Sequence, residues 1–349
     1  MPETITGTGN SFNLPNFAGE LFTASPTRTP FLSMIGGLSG GRKTDNDRFI
    51  TGQLYAFPEP VQPAISEQES ETAPAATAIT REQKYNVTQI FHETISLTYA
   101  KLANRGKLSG LNTAGAQANP TSELDWQIAR RLEKIARDVE HTFLNGTYAE
   151  ASAVNEANKT RGMMELCSTG TTIDAKGAEL SVDLLKQLFK AMADAGAFFG
   201  NMVLFCGSEQ KQRITTLYEK QIGYNTPQSR TVGGMNIHKL ETDFFDLGIC
   251  YDPFMKPGSI GLFDVSACAP VFQDVPGKGV LFLEDLAKVG ASDRKQIYGE
   301  IGLDHGPAFL HGTITGLKDS GAASDTPPVS GAGTGGTASG EGAGSAKKS

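Results

Sequence analysis

Residues 121–146, TSELDWQIARRLEKIARDVEHTFLNG, read as one long amphipathic helix and as nothing else. Leu124, Ile128, Leu132, Ile135, Val139 and Phe143 recur at steps of three or four, which places them on one stripe. Ser122 stands where a cap belongs, Glu123 and Asp125 suit the positive end of the helix dipole, and Asn145-Gly146 predicts a left-handed stop. At 1.5 Å per residue the rod is roughly 39 Å long, well beyond the usual helix of about 11–12 residues. The fold must therefore be organised along a helix that spans a whole domain. Trp126, the single tryptophan, lies about 150° from the centre of the stripe, beside Arg130, Glu133 and Arg137. Two readings stay open for it: a surface indole packed on Arg130, or part of a second contact surface for a neighbouring subunit.

The rest of the chain is not a helical bundle, because 40 glycines and a hydrophobic fraction of 39% suit loops and strands. A net charge of −7 without clustered Lys and Arg excludes tight phosphate binding, so any DNA nearby is not gripped by this chain. The start, MPETITGTGNSFN, has neither the basic residues nor the apolar run of a secretory signal, and no window approaches the roughly 18 apolar residues of a membrane span. The expectation is a soluble chain made in the cytoplasm, with no membrane contact. Cys167, Cys206, Cys250 and Cys268 are too far apart for a zinc motif and predict buried free thiols.

Residues 1–45 are rich in Thr, Gly, Pro and Asn and carry isolated anchors, among them Phe12, Phe17, Phe22, Phe31 and Leu32, with a short helical pattern near residues 15–23. Such a segment holds too little apolar area to fold alone and too many aromatics to be plain coil, so it predicts an arm that docks elsewhere. Extended patterns run over 47–57 and 79–99. Between them, PEPVQPAISEQESETAPAATA (58–78) has four prolines, four glutamates and no lysine or arginine. This predicts a protruding hairpin with a solvated acidic tip. After the long helix, Ser181 predicts the cap of a helix that buries Leu184, Leu185, Leu188, Phe189 and Met192, MVLFC (202–206) a strand, and Ser208 the cap of a helix that buries Ile214, Leu217 and Tyr218. Short strands over 230–273 suggest an α+β module whose sheet has helices on one side, and further strands run to residue 317. Beyond Asp319 nothing larger than Val329 is apolar, so the composition is that of a flexible tail.

No motif carries chemistry. GGLSGGRKT (36–44) misses the phosphate-loop register because Arg42 separates Gly41 from Lys43, and it reads as a hinge between arm and hairpin. Ser208 and Lys211 form an SxxK without its partner motifs. Asp304-His305 and His311 could place two imidazoles on one face of a strand, yet no nucleophile or third ligand accompanies them. Asp45 and Asp47 read as a turn. The sequence predicts no catalytic, cofactor or metal residue; an enzyme using His305 and His311 is the remote rival, and it leaves arm and hairpin without a role.

The order of arm, hairpin, spine helix, α+β module and late strands resembles the major capsid proteins of tailed bacteriophages with the Hong Kong 97-type fold. The wording LPNFAGELFTASPTRTPFLSMIGG, AISEQESETAPA and QIFHETISLTYAKLANRGKLSG is similar to an actinobacterial-phage branch of that family, and the resemblance covers about residues 10–317. It implies an α+β subunit with an N-terminal arm (1–45), an extended hairpin loop (46–98), a peripheral domain (99–160 and 274–318), an axial domain (161–273) and a tail (319–349). It implies a structural protein of the virion, assembled in the host bacterial cytoplasm from pentamers and hexamers of itself around double-stranded DNA held without sequence-specific binding. The partners implied are a portal, a decoration protein and, because only about 45 residues precede the hairpin, a separate scaffolding protein. The lysine-free tip speaks against the lysine–asparagine crosslink some relatives use. The residues expected at inter-subunit contacts are Glu67, Glu69 and Glu71 of the tip, Trp126, Arg130, Arg131, Lys134 and Arg137 of the spine, and Phe12, Phe17 and Phe22 of the arm. A bacterial nanocompartment shell of the encapsulin type would share the fold and differ in cargo.

Overall fold

The computed structural model describes residues 23, 25–103, 123–222, 228–232, 235–242, 244–288 and 290–319. Phe12, Phe17, Phe22, Ser122, the short helical pattern near 15–23, the linker 104–119 and the tail after Asp319 lie outside these residues. Proline, needing no N–H partner in a first helical turn, opens Pro30–Ile35 (α1). Arg42–Thr44 (β1), Arg48–Tyr55 (β2), the single turn Glu67–Ser70 (α2), Arg81–Val87 (β3), Gln89–Thr98 (β4) and Tyr99–Ala103 (α3) lead to the spine helix Glu123–Asn145 (α4). There follow Met163–Ser168 (α5), Thr171–Asp174 (β5), Val182–Asp194 (α6), Met202–Cys206 (β6), Ser208–Ile222 (α7), Gln228–Val232 (β7), Met235–Glu241 (β8) and Asp246–Tyr251 (β9). Ile260–Asp264 (β10), Ala269–Gln273 (β11), Leu281–Asp285 (β12), Ser292–Asp304 (β13), the 3-10 turn Ala308–Leu310 and Gly312–Thr315 (β14) complete the described chain.

At 23 residues α4 is roughly 35 Å long. Its stripe does face the core: Ile135, Val139 and Phe143 are fully buried, and Leu124, Ile128 and Leu132 pack more loosely at the other end. The stop differs from the expected one. Gly146 is not left-handed; it is glycine because a Cβ there would lie 2.7 Å from the Thr160 carbonyl oxygen.

Two sheets meet this helix. Strand β13 is the centre of the first, pairing with β4, β11 and β12, while β1 lies parallel to β11. The second has the order β5-β14-β10-β6-β9-β8-β7. Its central strand explains why MVLFC is apolar without interruption: Met202, Leu204 and Cys206 face the core built on α6, whereas Val203 and Phe205 face the core shared with α1 and α4. The sheet is thus covered on both sides, not one. The late strands also part company, since β13 belongs to the first sheet and β14 to the second. Strand β11 likewise belongs to the first sheet although it follows β10 of the second in the chain.

Other differences have local causes. The expected hinge at 36–44 ends in β1, and a Cβ on Gly41 would strike the Pro270 carbonyl, so close packing accounts for that glycine. The long strand expected over 79–99 breaks at Thr88, whose N–H donates to the Asp47 carbonyl (2.7 Å). Asn86, Val87 and Thr88 are all buried there, which ends the alternation. The acidic connection contains α2, held by a reciprocal Ser66–Glu69 capping box. Ser181 caps α6 as expected, accepting from the Leu184 N–H, but α7 begins at Ser208 and its cap position falls to Gly207.

One buried side chain joins the elements. Glu140 of α4 is fully buried and receives the Phe31 N–H at Oε1 (2.8 Å) and the Leu32 N–H at Oε2 (2.7 Å), so the spine carries the carboxylate that caps α1. Asp252, also fully buried, accepts the Phe254 N–H at Oδ1 (2.8 Å), and its Oδ2 has no hydrogen-bond partner among the described residues. Burial first, and the neighbouring carboxyl second, pushes Glu140 well above the ordinary carboxylate range, and burial pushes Asp252 up too. Each carboxyl therefore holds its proton more tightly than an exposed one does. Glu140→Ala should cost about 2–5 kcal/mol in guanidinium unfolding of unassembled subunits, by stranding two buried N–H groups, and Glu140→Gln clearly less. With both folded-state pKa values raised, stability is intact below the ordinary carboxylate pKa and is lost as pH rises through the raised values. A pH series of unfolding midpoints should show that loss in the wild type and a smaller one in Asp252→Asn.

Candidate functional site

The exposed features of this chain are surfaces, and they begin at the ribbon of β2 and β3. Among the described residues these strands pair only with each other, from Arg48–Val87 at the base to Tyr55–Arg81 at the far end. The base is well held. Thr51 Oγ1 donates to Asp304 (2.8 Å), Arg42 pairs with the same carboxylate, and Asn86 Nδ2 donates to the Leu303 carbonyl (2.7 Å). Beyond the base no described residue covers the ribbon: Tyr55, Phe57, Val61, Ile65 and Ile79 are each more than half exposed, with Tyr55 and Phe57 in edge contact at 5.3 Å. Sequence reasoning read this tip by its acid and passed over its apolar side chains, although YAFPEP shows them. Of Glu67, Glu69 and Glu71, Glu69 is engaged by Ser66, whose backbone and side chain hold its carboxyl below the ordinary range. Glu67 and Glu71 stand exposed.

The outer face of α4 is the second surface. Trp126, Arg130, Lys134 and Arg137 come together as expected and, with Thr23 and Thr27, line a shallow cleft of about 230 Å³. The charges are partly committed. Arg130 pairs with Glu133 (2.6 Å), and Arg131 (2.9 Å) and Lys134 both pair with Glu93 of β4. Glu93, which no sequence motif marked, locks the spine to the sheet. The guanidinium of Arg137 lies 5.9 Å from the Phe254 ring centroid, and its buried Nε has no hydrogen-bond partner among the described residues. Glu67, Glu69 and Glu71 are not brought to this cleft within one subunit, because they lie at the far end of the ribbon.

The residues of the rival reading are structural. His305 and His311 are buried; His311 Nε2 lies 2.7 Å from the His305 carbonyl, its Nδ1 accepts the Asp264 N–H (3.2 Å), and His305 Nδ1 lies 2.7 Å from the Gly306 carbonyl. Strand β13 ends at Asp304, so they do not share a strand face. Lys211 donates to the Ile249 carbonyl (2.9 Å) rather than activating Ser208. All four cysteines are free and buried. Among the described residues no group of three His, Cys, Asp or Glu could hold a metal ion, and no helix is long and apolar enough to cross a membrane.

An arm that docks through buried backbone, a ribbon without a core and a spine with a spare face suit a shell subunit, and comparison decides the matter: residues 4–318 match the family described as SU10 major capsid protein. This chain belongs to that family. Solved structures agree on the fold. The capsid asymmetric unit of cyanophage A-1(L) is 12% identical with a TM-score of 0.58, covering 89% of this chain and 99% of that one. Mycobacterium phage Bobi gives 10% identity and a TM-score of 0.55, with 90% and 99% covered. The holo-SrpI encapsulin complex from Synechococcus elongatus gives 10% and 0.56, with 87% and 92% covered, so the fold alone does not separate shells by cargo. No curated protein matches the sequence. The subunit is a phage major capsid protein, a structural component of the virion that assembles with copies of itself; it is not an enzyme.

Burial holds both histidines down at about 4 in the folded capsid subunit. Their contribution to stability is fully present above the ordinary histidine pKa and is lost as pH falls through the folded value. Ring-proton NMR of the unassembled subunit should find both neutral at about pH 5.5, with unfolding midpoints declining below about pH 6. A pKa near 7 for either ring would return them to candidacy as acid–base groups.

Proposed function

We propose that the subunit closes, as pentamers and hexamers of itself, into the icosahedral head of a tailed double-stranded DNA phage, with each β2–β3 ribbon laid across a neighbouring subunit. The observation that carries this reading is the ribbon itself, whose apolar residues are exposed on one chain although its base is firmly hydrogen bonded. A two-stranded ribbon is marginal in water unless something packs against it. Its tip is acidic and the outer face of α4 is basic, so Glu67 and Glu71 are assigned to the cleft of Trp126 and Arg137 on the neighbour, with Glu69 kept for its own cap and Arg130, Arg131 and Lys134 partly neutralised at home. Each exposed pair contributes only about 0.2–1 kcal/mol, and repetition around a shell multiplies it.

On this reading Phe12, Phe17 and Phe22 belong to an arm that also reaches a neighbour, starting from the α1 anchor at Glu140. Residues 46–98 act as the extended loop; the α4 side and the seven-stranded side act as the peripheral and axial parts. Assembly takes place in the host bacterial cytoplasm with a separate scaffolding protein, a portal and a decoration protein, and the net charge of −7 suits a wall that encloses DNA without holding it.

Electron microscopy of the overexpressed subunit, alone and with its neighbouring genes, should show closed shells, tubes or capsomer rings. A monodisperse monomer or dimer in every condition would overturn the proposal, and purified particles filled with an enzyme cargo instead of DNA would point to a nanocompartment. For the contact, Glu67→Lys with Glu71→Lys should lower particle yield severalfold while leaving the subunit's circular dichroism and melting unchanged. Unaltered yield would remove the assigned pairing while leaving shell assembly untouched.

A further inference from the structure

A second cleft, of about 230 Å³, opens at the start of α7 between Ser208, Gln210, Tyr251, Met255, Gly258 and Asp319. Gly207 at the cap position has no side chain, so a helix of 15 residues presents its positive end here without a side-chain cap. Gln210, in the first turn, is only 2% exposed. Its Nε2 donates to the Lys318 carbonyl (3.2 Å), which fixes the amide's orientation, and its Oε1 is left without a hydrogen-bond partner among the described residues. A buried amide oxygen in that state needs a donor.

The described chain ends at this point, and it ends pinned. The Leu317 N–H donates to the Gly258 carbonyl (2.9 Å), the Lys318 N–H to the Ala178 carbonyl (2.9 Å), and the Asp319 carboxylate receives the Gly258 N–H (2.9 Å). In an extended chain the carbonyl of one residue and the N–H two residues later point to the same side, at a spacing one side-chain amide can bridge. Lys318 already supplies the carbonyl, and the N–H two residues on is that of Ser320. The next residues are Gly321, Ala322 and Ala323, so no side chain is too large for a small cleft.

We propose that this cleft binds the chain's own residues 320–323 in extended form. The Ser320 N–H donates to Gln210 Oε1, and the carbonyl oxygens that follow meet the first-turn N–H groups of α7. The last 30 residues of the sequence are thereby strung from the seven-stranded sheet of their own subunit. Nothing in this inference depends on the ribbon contact proposed above.

Hydrogen–deuterium exchange of the full chain tests it, beside Gln210→Met and a chain ending at Asp319. The expected result is that amides 320–323 exchange at least about tenfold more slowly than in a free peptide of the same sequence. Gln210→Met should bring them to free-peptide rates, and removing the tail should speed exchange at 208–210. Should the shortened chain fail to fold, the full chain and Gln210→Met still decide. Free-peptide rates at 320–323 in the full chain would overturn the proposal. So would protection at 208–210 that survives loss of the tail and appears only in assembled shells, because a neighbouring subunit would then be the occupant.

Discussion

The fold depends on a carboxylate placed where hydrophobic burial alone would forbid it. Glu140 sits on the spine helix with no solvent contact, and it is tolerated because two backbone N–H groups of α1 bond its two oxygens. That single side chain lets a six-residue helix, too short to be stable by itself, dock with Phe31 and Leu32 in the middle of the core. Phe31 then contacts Phe205 and Phe263 edge-on at 5.4 and 5.9 Å, which brings the second sheet against the first core. The spine, the chain entering from the amino-terminal side and the seven-stranded sheet are thus joined through one polar contact and three rings.

Much of this could be read in advance, and the reasons differ by element. The stripe on α4 was legible because a 3.6-residue period repeated over six turns has no competing interpretation, and the Ser181 cap of α6 because cap chemistry is local. The break at Thr88 was not, since the strand pattern continues through it and only the Asp47 carbonyl, some forty residues away, decides where the ribbon leaves the sheet. Helix α1 was missed for the same reason: PFLSMI carries no cap of its own, and the capping group arrives from residue 140. Coverage of the central sheet on both faces was visible in MVLFC, whose unbroken apolarity marks two-sided burial, but the module was read from its helices instead.

The surfaces were legible by residue type and less so by availability. Basic residues on the outer face of α4 stood out in the sequence, yet Glu93 and Glu133 claim most of that charge within the subunit, and the capping box claims Glu69. Counting charges along a sequence overstates what a surface can offer a partner, because neighbours on the same chain are served first.

Strand β6 shows where a shell made of this subunit can bend. Alternate residues of that strand belong to different cores, so it is a party wall: neither side can shift without dragging the packing of the other. Differences in curvature between one position in a lattice and the next cannot be absorbed there. They fall to the outer part of the ribbon, beyond its hydrogen-bonded base at Thr51 and Asn86, where the exposed side chains belong to neither core.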